Sequence, residues 1–166
     1  MATLRRMEAG GLVRRTEGNV SARAGELVAV SPTSRAYHAL RPEEVSLVTP
    51  EGELVEGAPP SVELPMHLAV LAARPDVGAV VHTHSPYATA HPPVPVAVGD
   101  SGTAELGAAV AAAPGDGDAV VIRGHGPVCF GVDLAAALAR AFALEEAARA
   151  TGRAASSPGS RRGRRA

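Results

Sequence analysis

The chain has 166 residues, a formal net charge of −1, 46% hydrophobic and only 2% aromatic residues, and one cysteine. That length suits one compact domain, with a core built mainly from Val, Leu and Ala. The near-zero charge offers no general attraction to nucleic acid, one cysteine excludes an intrachain disulfide framework, and no apolar run reaches membrane-spanning length.

In chain order, residues 1–12 read as a short helix ending at Gly10-Gly11. Thr16 to Arg23 is a polar turn entering a strand, and Leu27 to Val30 and Val45 to Val48 read as further strands. Gly52 to Pro60 is a turn-rich connection. Ser61 is placed to cap a helix in which Pro65 occupies the first turn and Leu64, Leu68 and Leu71 share a face. Arg74-Pro75-Asp76 then leads into the apolar run Val77 to Val81, which ends at His82. Thr103 caps a helix over Ala104 to Ala113, stopped by Pro114 and Gly115, and a strand over Ala119 to Ile122 follows. Asp133 caps the longest helix, Leu134 to Ala150, which Gly152 ends. Domain boundaries are expected at 1–155, with 156–166 a disordered basic tail exposed to solvent. The N-terminus lacks a secretory apolar region, so the cytoplasm is the expected compartment. Strands alternating with helices indicate an α/β layered domain.

His82-Thr83-His84 is the strongest chemical signal. Side chains two apart on a strand point to the same side, so both imidazoles can converge on one cation. His125 ends a second apolar strand and lies between Gly124 and Gly126, which permit a sharp turn and close backbone approach. Three His with an open fourth position is a catalytic arrangement rather than a closed structural one. Glu63 has two local readings: a carboxylate favoured in a first helical turn by the dipole, or a fourth participant at the metal. His67, one turn on, reads as a structural or hydrogen-bonding residue. Cys129, between Val128 and Phe130, reads as core. Three hydroxyl- or amide-rich turns, around Gly18-Asn19 with Ser21, Thr33-Ser34 and Ser61, can donate to an oxyanion. There is no Walker A motif and no dinucleotide fingerprint.

These pieces, in order, resemble the class II aldolase/adducin family, and within it the bacterial L-fuculose-phosphate aldolase-like proteins. The matching text is Glu17 to Arg23, Ser31 to Ser34 with Tyr37, Pro60 to Glu63 with Met66-His67, Arg74 to Ala90, Gly102-Thr103 with Glu105-Leu106, and Arg123 to Gly126. The resemblance implies a three-layer α/β/α sandwich with a central, mostly antiparallel sheet. It implies one Zn2+ per subunit, or another divalent metal, on His82, His84 and His125, with Glu63 as the proton-moving carboxylate. It places a substrate phosphate against Gly18, Asn19, Thr33, Ser34 and Ser61. The implied reaction is aldehyde-lyase cleavage of a fuculose-phosphate-like ketose 1-phosphate to dihydroxyacetone phosphate and a small aldehyde. The alternatives are a sugar-phosphate epimerase or dehydratase, or a catalytically impaired metal-binding member. The implied partners are a small phosphorylated sugar and identical subunits in a tetramer, with neither nucleic acid nor membrane.

The chain also departs from the family pattern. Glu17 stands in the place of a serine, Ser34 of a glycine and Val62 of a second serine. The N-terminal helix is short, the connection from His91 to Gly102 is abbreviated, and only two tyrosines are present. Neither Tyr37 nor Tyr87 matches the family's catalytic tyrosine, so slow or absent turnover is the expectation.

Overall fold

A computed structural model describes residues 1–14, 16–115 and 117–156, with the side chains of 154–156 excepted. The tail expected over 156–166 lies outside the described residues, apart from the backbone of Ser156.

The strands are β1 (Asn19–Ala24), β2 (Leu27–Val30), β3 (Ser46–Val48), β4 (Leu54–Glu56), β5 (Ala79–His82), β6 (Val96–Ala97), β7 (Ala119–Ile122) and β8 (Gly126–Gly131). The helices are α1 (Ala2–Ala9), α2 (Leu64–Ala73), α3 (Pro86–Ala90), α4 (Ala104–Ala112) and α5 (Leu134–Ser156). The strands form one sheet in the order β4-β3-β2-β1-β5-β8-β7-β6. Every pairing is antiparallel except that of β6 with β7.

Period-two alternation sorts the sheet into two faces. Val80, Val120, Ile122, Val128 and Phe130 pack with Val70 and Leu71 of α2 and with Leu106 and Val110 of α4. Val20, Val81, Val121 and Cys129 pack on the opposite side with α1, α3 and α5. This is the α/β/α sandwich with a mostly antiparallel sheet. Among the described residues, no helix is long and apolar enough to cross a membrane.

Four local expectations change. The helix after Ser61 starts at Leu64, not at Ser61. A helix entered at Ser61 would need the amide of residue 65 to bond the Ser61 carbonyl, and Pro65 has none. Instead the Leu64 amide bonds that carbonyl at 3.0 Å, and Glu63 becomes the flanking residue. The stretch from Gly52 to Pro60 contains a strand, β4, at the exposed edge of the sheet. The connection from His91 to Gly102 holds β6, and α3 precedes it over Pro86–Ala90. Finally, α5 runs through Gly152, where a Cβ would come within 2.8 Å of the His91 ring. That glycine admits a neighbouring side chain and does not terminate the helix. Two cap readings hold: Thr103 Oγ1 accepts from Leu106 N at 3.2 Å, and Asp133 Oδ1 from Ala136 N at 2.8 Å.

Candidate metal centre and adjoining pocket

β5 delivers His82 on the same face as Val80, toward α2. Its ring is fully buried, and its Nδ1–H donates to the Pro127 carbonyl at 3.0 Å. That bond fixes the tautomer and leaves the Nε2 lone pair free. His84 lies just past the strand, with its backbone amide bonded to the Leu12 carbonyl at 3.1 Å. His125 sits in the β7–β8 turn, where Gly124 has φ +68°. A Cβ at Gly126 would stand 1.9 Å from the Thr83 carbonyl oxygen. The bare backbone at Gly126 is thus what lets the hairpin tip press His125 against His84.

The three rings meet edge to face, with centroids 4.6–5.0 Å apart. Glu63 enters from the start of α2. His84 Nε2 and His125 Nε2 are 3.0 Å apart, His82 Nε2 is 3.3 Å from Glu63 Oε2, and His125 Nε2 is 3.7 Å from Glu63 Oε1. One ligand atom from each of the four residues lies within 4.8 Å of all the others. Ligands about 2.0–2.1 Å from a tetrahedral zinc stand roughly 3.3 Å from one another, and the three contacts of 3.0–3.7 Å bracket that spacing. Among the described residues, His82 Nε2 is the one buried side-chain polar atom with no hydrogen-bond partner. An orphaned lone pair aimed at a carboxylate and two further imidazoles fits a cation.

The electrostatics agree. Burial drives His82 and His84 below the ordinary imidazole range, so both are neutral near pH 7. Burial pushes the Glu63 carboxyl up, but the hydrogen bonds it accepts from Asn19 and Ser101 favour its charged form and hold it below the usual carboxylate range.

Behind Glu63 lies a buried hydrogen-bond chain. Asn19 Nδ2 donates to Glu63 Oε2 at 2.8 Å, Asn19 Oδ1 faces His67 Nε2 at 2.5 Å, and His67 Nδ1 faces Ser21 Oγ at 2.7 Å. On the pocket side, Ser101 Oγ donates to Glu63 Oε1 at 2.8 Å. Ser21, expected with Asn19 as an oxyanion donor, is instead turned to His67 and does not line the pocket, and Ser101 was not expected at the site at all. The period of two in Asn19-Val20-Ser21 turns the first and third residues to α2 together, which is why Ser21 meets His67. Ser101 carries no local signal, since it arrives through the long connection after His91.

The cluster opens into a pocket of about 230 Å³ lined by Gly18, Asn19, Thr33, Ser34 and Ser61, all five residues expected at a phosphate, together with Glu17, Val62 and Ser101. Gly18 has φ +86°, and a Cβ there would come within 2.7 Å of the His82 carbonyl oxygen. The buried Tyr37 hydroxyl lies against the carbonyls of Glu17 and Gly18, the latter at 2.8 Å, and pins this loop. The other two loops are stitched together, Thr33 N to Pro59 O and Ser61 N to Ser31 O, each at 3.1 Å. A larger, mainly apolar groove of about 400 Å³ between residues 93–95 and α5 contains no ligating cluster among the described residues. Tyr87 does not line the pocket, and the Arg149 guanidinium lies 4.7 Å above its ring. Cys129 is buried and its thiol is pushed up to about 12 by that burial, as fits a core residue.

A Glu/His cluster that could hold a divalent metal, set at the end of a sandwiched sheet beside a donor-rich pocket, defines the class. The model of the Class II Aldolase and Adducin N-terminal domain matches residues 1–92 and 91–151, and the chain belongs to that family. It is 36% identical over 158 residues to a 5-methylthioribulose-1-phosphate/5-deoxyribulose-1-phosphate aldolase of Rhodospirillum rubrum, covering 83% of this chain and 72% of that protein. It is 45% identical over 87 residues to a 5-deoxy-D-ribulose 1-phosphate aldolase of Bacillus thuringiensis, covering 51% of this chain but only 41% of that protein. The fold superposes on an L-fuculose-1-phosphate aldolase from Thermus thermophilus with a TM-score of 0.83 at 28% identity, covering 93% of this chain and 91% of the other.

Proposed function

We propose that the protein is a zinc-dependent aldehyde-lyase that cleaves a ketose 1-phosphate to dihydroxyacetone phosphate and a small aldehyde. One observation carries the reading: the orphaned His82 Nε2 sits among His84, His125 and Glu63 at the edge of a pocket lined by hydroxyl, amide and glycine-loop donors. His82, His84 and His125 are the metal ligands in this reading. Bound there, a divalent ion supplies Lewis acidity to adjacent carbonyl and hydroxyl oxygens of the substrate.

The chain's own groups do the rest. Gly18, Asn19, Thr33, Ser34 and Ser61 hold the phosphate. The ionised Glu63 moves the proton at the substrate carbon whose bond is cleaved. Its closeness to all three imidazoles would let it join them in holding the ion. Tyr37 is committed to the 17–18 loop and Tyr87 to Arg149, so neither of the chain's two tyrosines supplies an acid to the pocket. Turnover is therefore expected below the enzyme median of about 10 s⁻¹.

The test is a product assay on fuculose 1-phosphate, 5-deoxyribulose 1-phosphate and methylthioribulose 1-phosphate, with zinc-loaded protein and Glu63→Gln beside it. The reading expects dihydroxyacetone phosphate and an aldehyde, with a loss of roughly 10²–10⁴-fold in the variant. An epimerised or dehydrated product, or full activity in Glu63→Gln, would overturn it.

A further inference from the structure

We propose that His67 is a positioning residue: through Asn19 it sets the orientation of Glu63, and Ser21 sets the tautomer in which it does so. The proposal rests on reading Glu63 as the proton-moving group. An ionised carboxylate only accepts hydrogen bonds, so the Asn19 atom 2.8 Å from Glu63 Oε2 must be the amide nitrogen. The Asn19 oxygen then faces His67 Nε2 at 2.5 Å, which must carry the ring proton. His67 Nδ1 is left as an acceptor, and Ser21 Oγ, 2.7 Å away, donates to it. The opposite tautomer would turn the Asn19 oxygen onto the carboxylate.

The architecture builds this chain deliberately from two elements. Asn19 and Ser21 stand two apart on β1 and face α2, while Val20 faces the other layer. His67 stands four residues after Glu63 and is completely buried. Burial gives the chain its stringency, because an amide oxygen left without a donor there has no water to turn to. Glu63 is thus tethered differently at its two oxygens. Oε2 is held from the interior through Asn19 and His67. Oε1 is held by Ser101 and lies on the pocket side. A carboxylate anchored at one oxygen can release the other toward substrate without losing its place.

The test uses isotope-labelled metal-free protein alongside the zinc enzyme. In the wild type, the ¹⁵N signature of His67 should be that of the Nε2–H tautomer, and the Asn19 side-chain amide should exchange slowly with solvent. These two readings need no variant, so an unstable mutant cannot leave the question unanswered. His67→Leu fills the space without donor or acceptor, whereas His67→Gln can again donate to Asn19. For His67→Leu we expect loss of the Asn19 amide protection and a roughly 10–100-fold fall in kcat, the cost typical of an outer hydrogen-bond partner, with KM nearly unchanged. His67→Gln should restore both. An Nδ1–H tautomer in the wild type would overturn the proposal. So would wild-type kcat in His67→Leu, or a folded His67→Gln as defective as His67→Leu. Should Glu63→Gln itself retain full activity, the acid–base reading fails, while the tautomer and amide exchange still decide the tether.

Discussion

Replacing Gly126 with alanine should damage metal binding although residue 126 ligates nothing. Gly126 is outside the left-handed region, so alanine meets no intrinsic backbone penalty there. Its Cβ would nevertheless stand 1.9 Å from the Thr83 oxygen and 3.2 Å from His84 Cα. Reaching an ordinary C···O separation of about 3.3 Å requires the β7–β8 tip to retreat by roughly 1.4 Å. Metal–ligand distances tolerate only about 0.2 Å, so His125 is carried out of reach of an ion held by His82 and His84. The expected result is a zinc affinity at least about 10–100-fold weaker, with roughly 1–3 kcal/mol lost from stability by overpacking. The control is Gly124→Ala in the same turn. Gly124 has φ +68° but nothing within 4 Å of its built Cβ. That variant should lose about 1–2 kcal/mol from left-handed strain and keep its metal affinity. Competition titration against a chromogenic chelator, with denaturant melts of both variants, separates the effects. Native zinc affinity in a folded Gly126→Ala protein would refute the close-approach argument.

Other perturbations give equally direct readings. Ser34 sits at φ +53°, and its Ser34→Gly variant should gain up to about 1 kcal/mol after the glycine's unfolded-state entropy is allowed for. A lower melting temperature would contradict that. Burial depresses His67 to about 4, so between about 6.5 and 4 the unfolded chain binds the extra proton. The stability His67 contributes is therefore complete above pH 6.5 and drains away as pH falls toward 4. Metal-free wild type should thus lose more stability than His67→Gln between pH 7.5 and 5 in denaturant titrations, and parallel curves would refute this. The buried Glu145 carboxylate accepts from the amides of Tyr87 and Ala88 at 3.1 and 2.8 Å, at the start of α3. Glu145→Ala should cost about 1.5–3 kcal/mol by leaving charge-assisted bonds unmade, and a change within 0.5 kcal/mol would show the contact idle.

What could be seen in the sequence followed from period and punctuation. Val-Val-His on β5 and Val-Val-Ile before Gly-His-Gly announced two buried strands ending in imidazoles, and those ends do meet. Gly124 and Gly126 were legible as a turn and a close approach because only glycine serves both. Thr103 and Asp133 were legible as caps. The start of α2 was misplaced because the missing amide of Pro65 outweighs the capping chemistry of Ser61. Gly152 was misread because its lack of a side chain serves His91, sixty-one positions earlier, and no local pattern reveals that. Ser101 and the role of Tyr37 were hidden for the same reason. Both act through contacts set by the fold, and neither occupies a position that its own neighbourhood marks. Asn19 was expected to face phosphate, yet its amide is already engaged by Glu63 and His67, leaving one N–H for a ligand.

The central claim is that His82, His84 and His125 converge on one cation beside Glu63. Anomalous diffraction at the zinc edge, on crystals of the zinc-loaded protein, tests it most directly. The account predicts a single ion with the Nε2 atoms of all three histidines about 2.0–2.1 Å away and Glu63 at or next to the fourth position. An ion bound elsewhere, or one that leaves His82 Nε2 without a ligand, would contradict it.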